Sequence, residues 1–129
     1  VLRAPAALPY GRTMSRTLFS LAVAALMVGC GPRTGPAPGP LSTVAVGLAL
    51  SRYPGTSAET LGRGRQRLLD RCDECHGYPD LWFYEAAKWP GIMKEMGEKS
   101  ELAPPEADEV LHFVLTAISE PRPAASPKK

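Results

Sequence analysis

The chain is poor in cysteine and histidine, with three cysteines, two histidines and no second Cys-x-x-Cys pair in 129 residues. A structural zinc site needs four such ligands at paired spacing, and one cysteine pair with His76 and His112 does not supply them. An odd cysteine count also argues against a closed disulfide framework, because one bridge leaves a thiol over. Strong net charge is missing too. The formal charge is +2, but Arg3, Arg12 and Arg16 all precede the apolar stretch at residues 18–28, and apart from them 12 Lys and Arg face 13 Asp and Glu. No basic stripe with interleaved aromatics remains, so no nucleic-acid partner is expected. Nor is there a long hydrophobic run: residues 18–28 are eleven in number, about half of what a membrane-spanning helix needs.

What that short run does resemble is an export signal. Ser15-Arg16-Thr17 supplies a cationic flank, Leu18–Val28 an apolar segment and Gly29-Cys30 a small-residue junction. A buried helix of the domain is the competing assignment, and it leaves the charged flank and the junction unexplained. Met14 stands as an alternative initiator, with residues 1–13 upstream of it. Leu26-Met27-Val28-Gly29-Cys30 is similar to a bacterial lipobox, which would place a diacylglyceryl group on Cys30. Two or three acyl chains hold far more firmly than one, each buried CH₂ contributing about 0.8 kcal/mol. Ordinary secretion with an incidental cysteine is the alternative. The run Gly31–Pro40 is dominated by proline and glycine, cannot form helix or sheet, and reads as a tether reaching about 30 Å when extended. Residues 41–50 are apolar again and stay open between helix, strand and a segment packed on the domain.

Proline and glycine, 14 and 12 residues, crowd such segments, so the foldable part is shorter than the chain. Below about 80 residues an apolar core alone rarely suffices, and a disulfide, metal or cofactor usually contributes. Cys72-Asp73-Glu74-Cys75-His76 offers one. The C-x-x-C-H spacing is that of covalent haem attachment. Two thiols three residues apart, on a turn after a helix, reach the two vinyl groups along one haem edge. The adjacent imidazole then ligates the iron. Its other ring nitrogen needs a partner that fixes the ring, and the Pro79 neighbourhood is the place to expect it. A zinc half-site, a thioredoxin-like pair and a plain disulfide compete. The first lacks ligands, and no βαβ pattern surrounds the second.

The flanks read as helices. Thr56-Ser57-Ala58-Glu59 has the form of a capping box, and Leu61, Gly64, Leu68 and Cys72 then recur at helical spacing. Gly62 and Gly64 each cost roughly 1 kcal/mol in a helix, which a close helix crossing would explain. Pro90 suits the first turn of another helix and Gly97 its end. On it Trp89, Ile92, Met93 and Met96 share one side. Ala107–Ser119 carries Val110, Leu111, Phe113, Val114 and Ile118 on a broad apolar face, with His112 off its centre.

Gly64, Leu68, Cys72, Cys75 and His76 resemble the N-terminal helix and haem site of class I c-type cytochromes. Glu106–Ser119 resembles their last helix, with Phe113 where an aromatic packs on the N-terminal glycine. Trp89–Met96 is similar to the tryptophan-to-methionine segment of small bacterial monohaem members. The resemblance covers Thr56–Ser119, about half the chain. It implies an all-α fold of three to four short helices wrapped around one covalently bound haem c. Cys72 and Cys75 would form the thioethers, His76 would be the proximal iron ligand and Met96 the distal one. Geometry alone permits Met93 in place of Met96, and His112 would serve only if the last helix turned over. Trp82, Phe83, Tyr84 and Trp89 are expected to wall the haem.

The organisation expected is therefore a signal peptide at 1–29, a lipid-anchored tether and apolar segment at 30–55, a cytochrome c domain at 56–119 and a disordered tail at 120–129. The function expected is that of an electron carrier rather than an enzyme: a monomer in the bacterial cell envelope, on the periplasmic side, anchored to a membrane through Cys30. Its partners would be other redox proteins. The alternative is a haem protein with an open sixth site for small-ligand sensing or peroxide chemistry.

Overall fold

Ser57, not Thr56, opens the central helix. In the computed structural model, which describes residues 33–124, the Ser57 hydroxyl accepts the Thr60 N–H at 3.1 Å and the Thr60 hydroxyl accepts the Ser57 N–H at 2.7 Å. The capping box is thus shifted by one residue from the expected frame. Thr56 is occupied elsewhere, its hydroxyl lying 3.1 Å from His112 Nδ1.

Among the described residues four α-helices follow one another: α1 (Thr43–Arg52), α2 (Ala58–Arg71), α3 (Trp89–Lys99) and α4 (Pro104–Ala117), with two short 3₁₀ turns at Leu81–Phe83 and Ala86–Lys88. Among the described residues the only β-pairing is an isolated bridge between Thr34 and Pro79. The protein is all-α, as expected. No helix among the described residues is long and apolar enough to cross a membrane.

The open segment at 41–50 is helix. Ser42 caps α1 by accepting the Ala45 N–H, and the small residues Ala45 and Ala49 are its buried pair. This helix packs on α4 and, less closely, on α2. The packed unit therefore includes residues before Thr56. Tyr53, just past α1, stacks on the His112 ring at 4.7 Å between centroids.

The tightest packing joins α2 to α4. Leu61, Gly64 and Leu68 are the buried face of α2, as the spacing predicts. What presses most closely on Gly64 is the backbone of Glu109 and Val110. Gly62 faces open space, so it marks no crossing. Charges flank the contact: Arg63 pairs with Glu109 at 2.6 Å, and Arg67 bonds both Glu106 and Glu109. Glu106 also accepts the Ala103 N–H at the start of α4, at 2.9 Å. That bond, and then Arg67, hold its carboxyl below the usual range.

Pro90 lies in the first turn of α3 as expected, but the helix runs on through Gly97 to Lys99. Gly97 is instead a contact point, where a β-carbon would come within 3.2 Å of Ala107 Cβ on α4. One cluster unites α2, α3 and α4: Leu68, Leu81, Trp89, Met93, Val110, Phe113, Val114 and Ala117, all buried. While α3 packs well on α4, it makes at most marginal contact with α2.

Candidate functional site

The Cys72–His76 segment begins where α2 ends. Cys72 is the C-cap residue, its N–H bonded to the Leu68 carbonyl, and the chain then turns through Asp73–His76. The Gly77 N–H closes the turn on the Asp73 carbonyl at 3.3 Å. Gly77 has φ +77°, a left-handed conformation natural to glycine, which redirects the chain after the histidine.

The two thiols are unbridged and differ in setting. Cys72 is half-buried and packs against the core, whereas Cys75 is exposed. Burial, reinforced by the charge of Asp73, pushes the Cys72 thiol up to about 11. Catalytic Cys-x-x-Cys pairs work through a thiol whose pKa is lowered, so the shift runs against a thioredoxin-like role. Among the described residues no three His, Cys, Asp or Glu side chains gather as a metal-binding group.

His76 is exposed, and its Nδ1 lies 3.0 Å from the Gly77 carbonyl oxygen. A carbonyl can only accept, so Nδ1 is the donor, and in the neutral ring Nε2 is left with its lone pair for a ligand. The partner sits two residues before Pro79. Further downstream the carbonyl of Tyr78 is already taken, accepting the Gly35 N–H at 2.8 Å.

The two candidate methionines part company. Met93 is 6% exposed and belongs to the core cluster; Met96 is half-buried and lies outside it. Met93 is thus engaged in packing, and Met96 is the thioether that packing does not claim. The ring of His112 is held between Tyr53 and Thr56.

Three of the four aromatic residues form a run of edge-on rings, Phe83 meeting Tyr84 at 4.9 Å and Tyr84 meeting Trp89, while Trp82 packs on the core cluster. Trp89 is fully buried and meets the Tyr84 ring edge-on at 5.9 Å. Trp82 donates its indole N–H to the Glu120 carbonyl at 3.1 Å, and Phe83 points outward, 51% exposed. Trp89 Nε1 is buried with no acceptor among the described residues. Such a group costs about 1–3 kcal/mol when unpaired, so this N–H is open to an acceptor from water or from a bound group. It lies in the same cluster on which Cys72 packs.

Two parts of this neighbourhood escape sequence reasoning. The Arg33–Pro40 segment docks on the loop after His76, and residues 120–122 are engaged rather than loose, Arg122 pairing with Asp80 at 2.7 Å. Proline-rich composition says what such a segment does not form, and carries no signal for where it docks. Cys30, with the signal and lipobox around it, lies outside the described residues.

Comparison of the chain with protein-family models, curated proteins and solved structures gives no match. What stands is the class: an all-α protein with an exposed Cys-x-x-Cys-His turn at the end of a glycine-crossed helix.

Proposed function

We propose that this protein is a small monohaem c-type cytochrome, lipid-anchored through Cys30 in a bacterial cell envelope, that carries single electrons between redox proteins. The observation that carries this proposal is the His76–Gly77 hydrogen bond beside two unbridged thiols. It leaves Nε2 free and the ring oriented, next to sulfurs spaced for the vinyl groups of one haem.

Further features fit the same group. The orphaned N–H of Trp89 matches a cofactor that brings carboxylate acceptors into an apolar site. The marginal contact between α2 and α3 is compatible with a flat group between Cys72 and the methionine helix. Cys72 and Cys75 would hold the haem, His76 would ligate on one side, and Met96 is the available thioether for the other. Bound haem would supply a one-electron ferric–ferrous couple, filled by a reduced donor protein and emptied by an oxidised acceptor protein. The chain's own residues ligate, bury and present it.

Absorption spectroscopy of protein made with a c-haem maturation system tests this. The expected result is haem colour that stays with the polypeptide after denaturing extraction, with a methionine–ferric charge-transfer band. A colourless chain, from cells that mature other cytochromes, would sink the proposal.

A further inference from the structure

Residues 31–40 read from the sequence as a leash, yet most of that leash is docked. The Arg33 carbonyl accepts the Asp80 N–H at 3.0 Å, and the Gly35 N–H donates to the Tyr78 carbonyl at 2.8 Å. Between them Thr34 stands opposite Pro79 in an antiparallel bridge. The fit is tight: a β-carbon on Gly35 would lie 3.0 Å from Asp80 Cα, so the facing backbone would have to give way to admit one. The Arg33 guanidinium sits over the Phe83 ring, 5.2 Å from its centroid. Farther along, Pro38 is buried and its carbonyl accepts Arg65 Nε at 3.1 Å. The contacts of residues 33–35 seat the segment on the loop that directly follows His76, and Pro38 ties it to α2.

Only Gly31 and Pro32 separate Cys30 from this strap. Three peptide steps span at most about 11 Å. We propose that the strap makes the lipid anchor a short mooring, which holds the Cys72–His76 face of the molecule beside the bilayer instead of letting it range on a long leash. The inference rests on the proposed function, since it takes Cys30 as lipidated and Cys72 and Cys75 as haem-bearing. The partner that suits such a face is a redox protein embedded in the same membrane, with its own redox group near the surface. A freely diffusing carrier is better served by a long leash, which would let the haem edge turn toward the periplasm.

The measurement is quenching of headgroup-labelled fluorescent lipid by the haem, with the lipidated protein reconstituted in phosphatidylcholine–phosphatidylglycerol vesicles. Two variants are compared with the wild type. One carries ten Gly-Ser residues between Pro32 and Arg33, which adds about 17 Å of r.m.s. reach and leaves the strap docked. The other is Gly35→Val, which unseats the strap; faster exchange of the Asp80 amide proton reports that independently of haem. Strong quenching in the wild type, mostly lost in both variants, is the expected result. Haem-coloured, vesicle-bound protein that quenches equally with and without the spacer overturns the mooring and leaves the proposed function standing. Coloured protein that does not sediment with vesicles overturns the anchor and the mooring together, and a colourless product overturns the function as well.

Discussion

Gly64 of α2 lies so close to Glu109 of α4 that a β-carbon on the glycine would collide with the Glu109 carbonyl oxygen. Backbone cannot swing aside as a side-chain tip can, so the two helices would have to separate to admit even a methyl group. Separation would loosen the buried face of Leu61, Leu68, Val110 and Val114 that the crossing closes.

Gly64→Ala is therefore expected to destabilise the protein by about 1–3 kcal/mol or more, as overpacking does. Gly62→Ala, two residues away in open space, should do the opposite. It removes the conformational freedom of a helical glycine without meeting a neighbour, a gain of about 1 kcal/mol. Urea midpoints for the two variants check this. Equal effects of one sign would show that helix propensity, and not the crossing, governs both positions.

The methionines should separate in the same way. Met93→Ala empties a place in the core and is expected to cost about 2–5 kcal/mol. Met96→Ala removes a side chain outside that cluster, with a smaller loss of stability and the disappearance of the methionine–ferric charge-transfer band. Thermal unfolding and near-infrared absorption of the haem-loaded variants provide the two readouts. A band that survives Met96→Ala and vanishes in Met93→Ala would exchange the roles. A wild type without the band, binding carbon monoxide readily, would favour the open-site alternative.

Some of this was legible in the sequence and some was not, for physical reasons. The Leu61–Gly64–Leu68 face follows from helical period alone, and the turn chemistry of Cys72–His76 is local, so both could be read in advance. Caps and ends depend on tertiary demand. Thr56 is drawn to His112 and leaves the capping role to Ser57, while Gly97 is needed against Ala107 and so sits inside α3. Neither competition has a trace in the residues flanking each helix. The strap is less legible still, because its contacts join residues more than 40 positions apart, Arg33 to Asp80 and Gly35 to Tyr78. The same holds for the orphaned indole of Trp89, which becomes a signal only once its burial is known.

That indole leads to a test of whether an acceptor reaches it. Trp89→Phe keeps most of the buried surface and deletes the N–H. With an acceptor in the haem-loaded protein, the substitution should cost about 1 kcal/mol or more, because the partner is left unpaired. It should also shift the reduction potential, since a donor beside the haem is lost. With no acceptor there, removing an unsatisfied donor would be neutral or stabilising, and the potential would not move. Urea titration and spectroelectrochemistry distinguish the outcomes.

The Cys72 thiol gives a pH dependence with a definite sign. Its pKa rises from an ordinary 9.0 to about 11 in the folded chain, through burial and then the charge of Asp73. The unfolded chain thus releases this proton first as pH rises, so the folded state is favoured least at high pH. Its contribution to stability is intact below pH 9.0 and declines as pH climbs toward about 11. In protein produced without haem maturation, iodoacetamide should label the exposed Cys75 well before Cys72 at pH 8. The Cys72 rate should then climb as pH passes through about 11. Mass spectrometry of the 72–76 peptide across a pH series follows both sites. Fast labelling of Cys72 near neutrality would mean a thiolate already formed, and with it the activated Cys-x-x-Cys pair of a redox catalyst. After haem maturation neither sulfur should label at any pH, because each would already be a thioether. That second series separates a covalently occupied pair from a merely buried one.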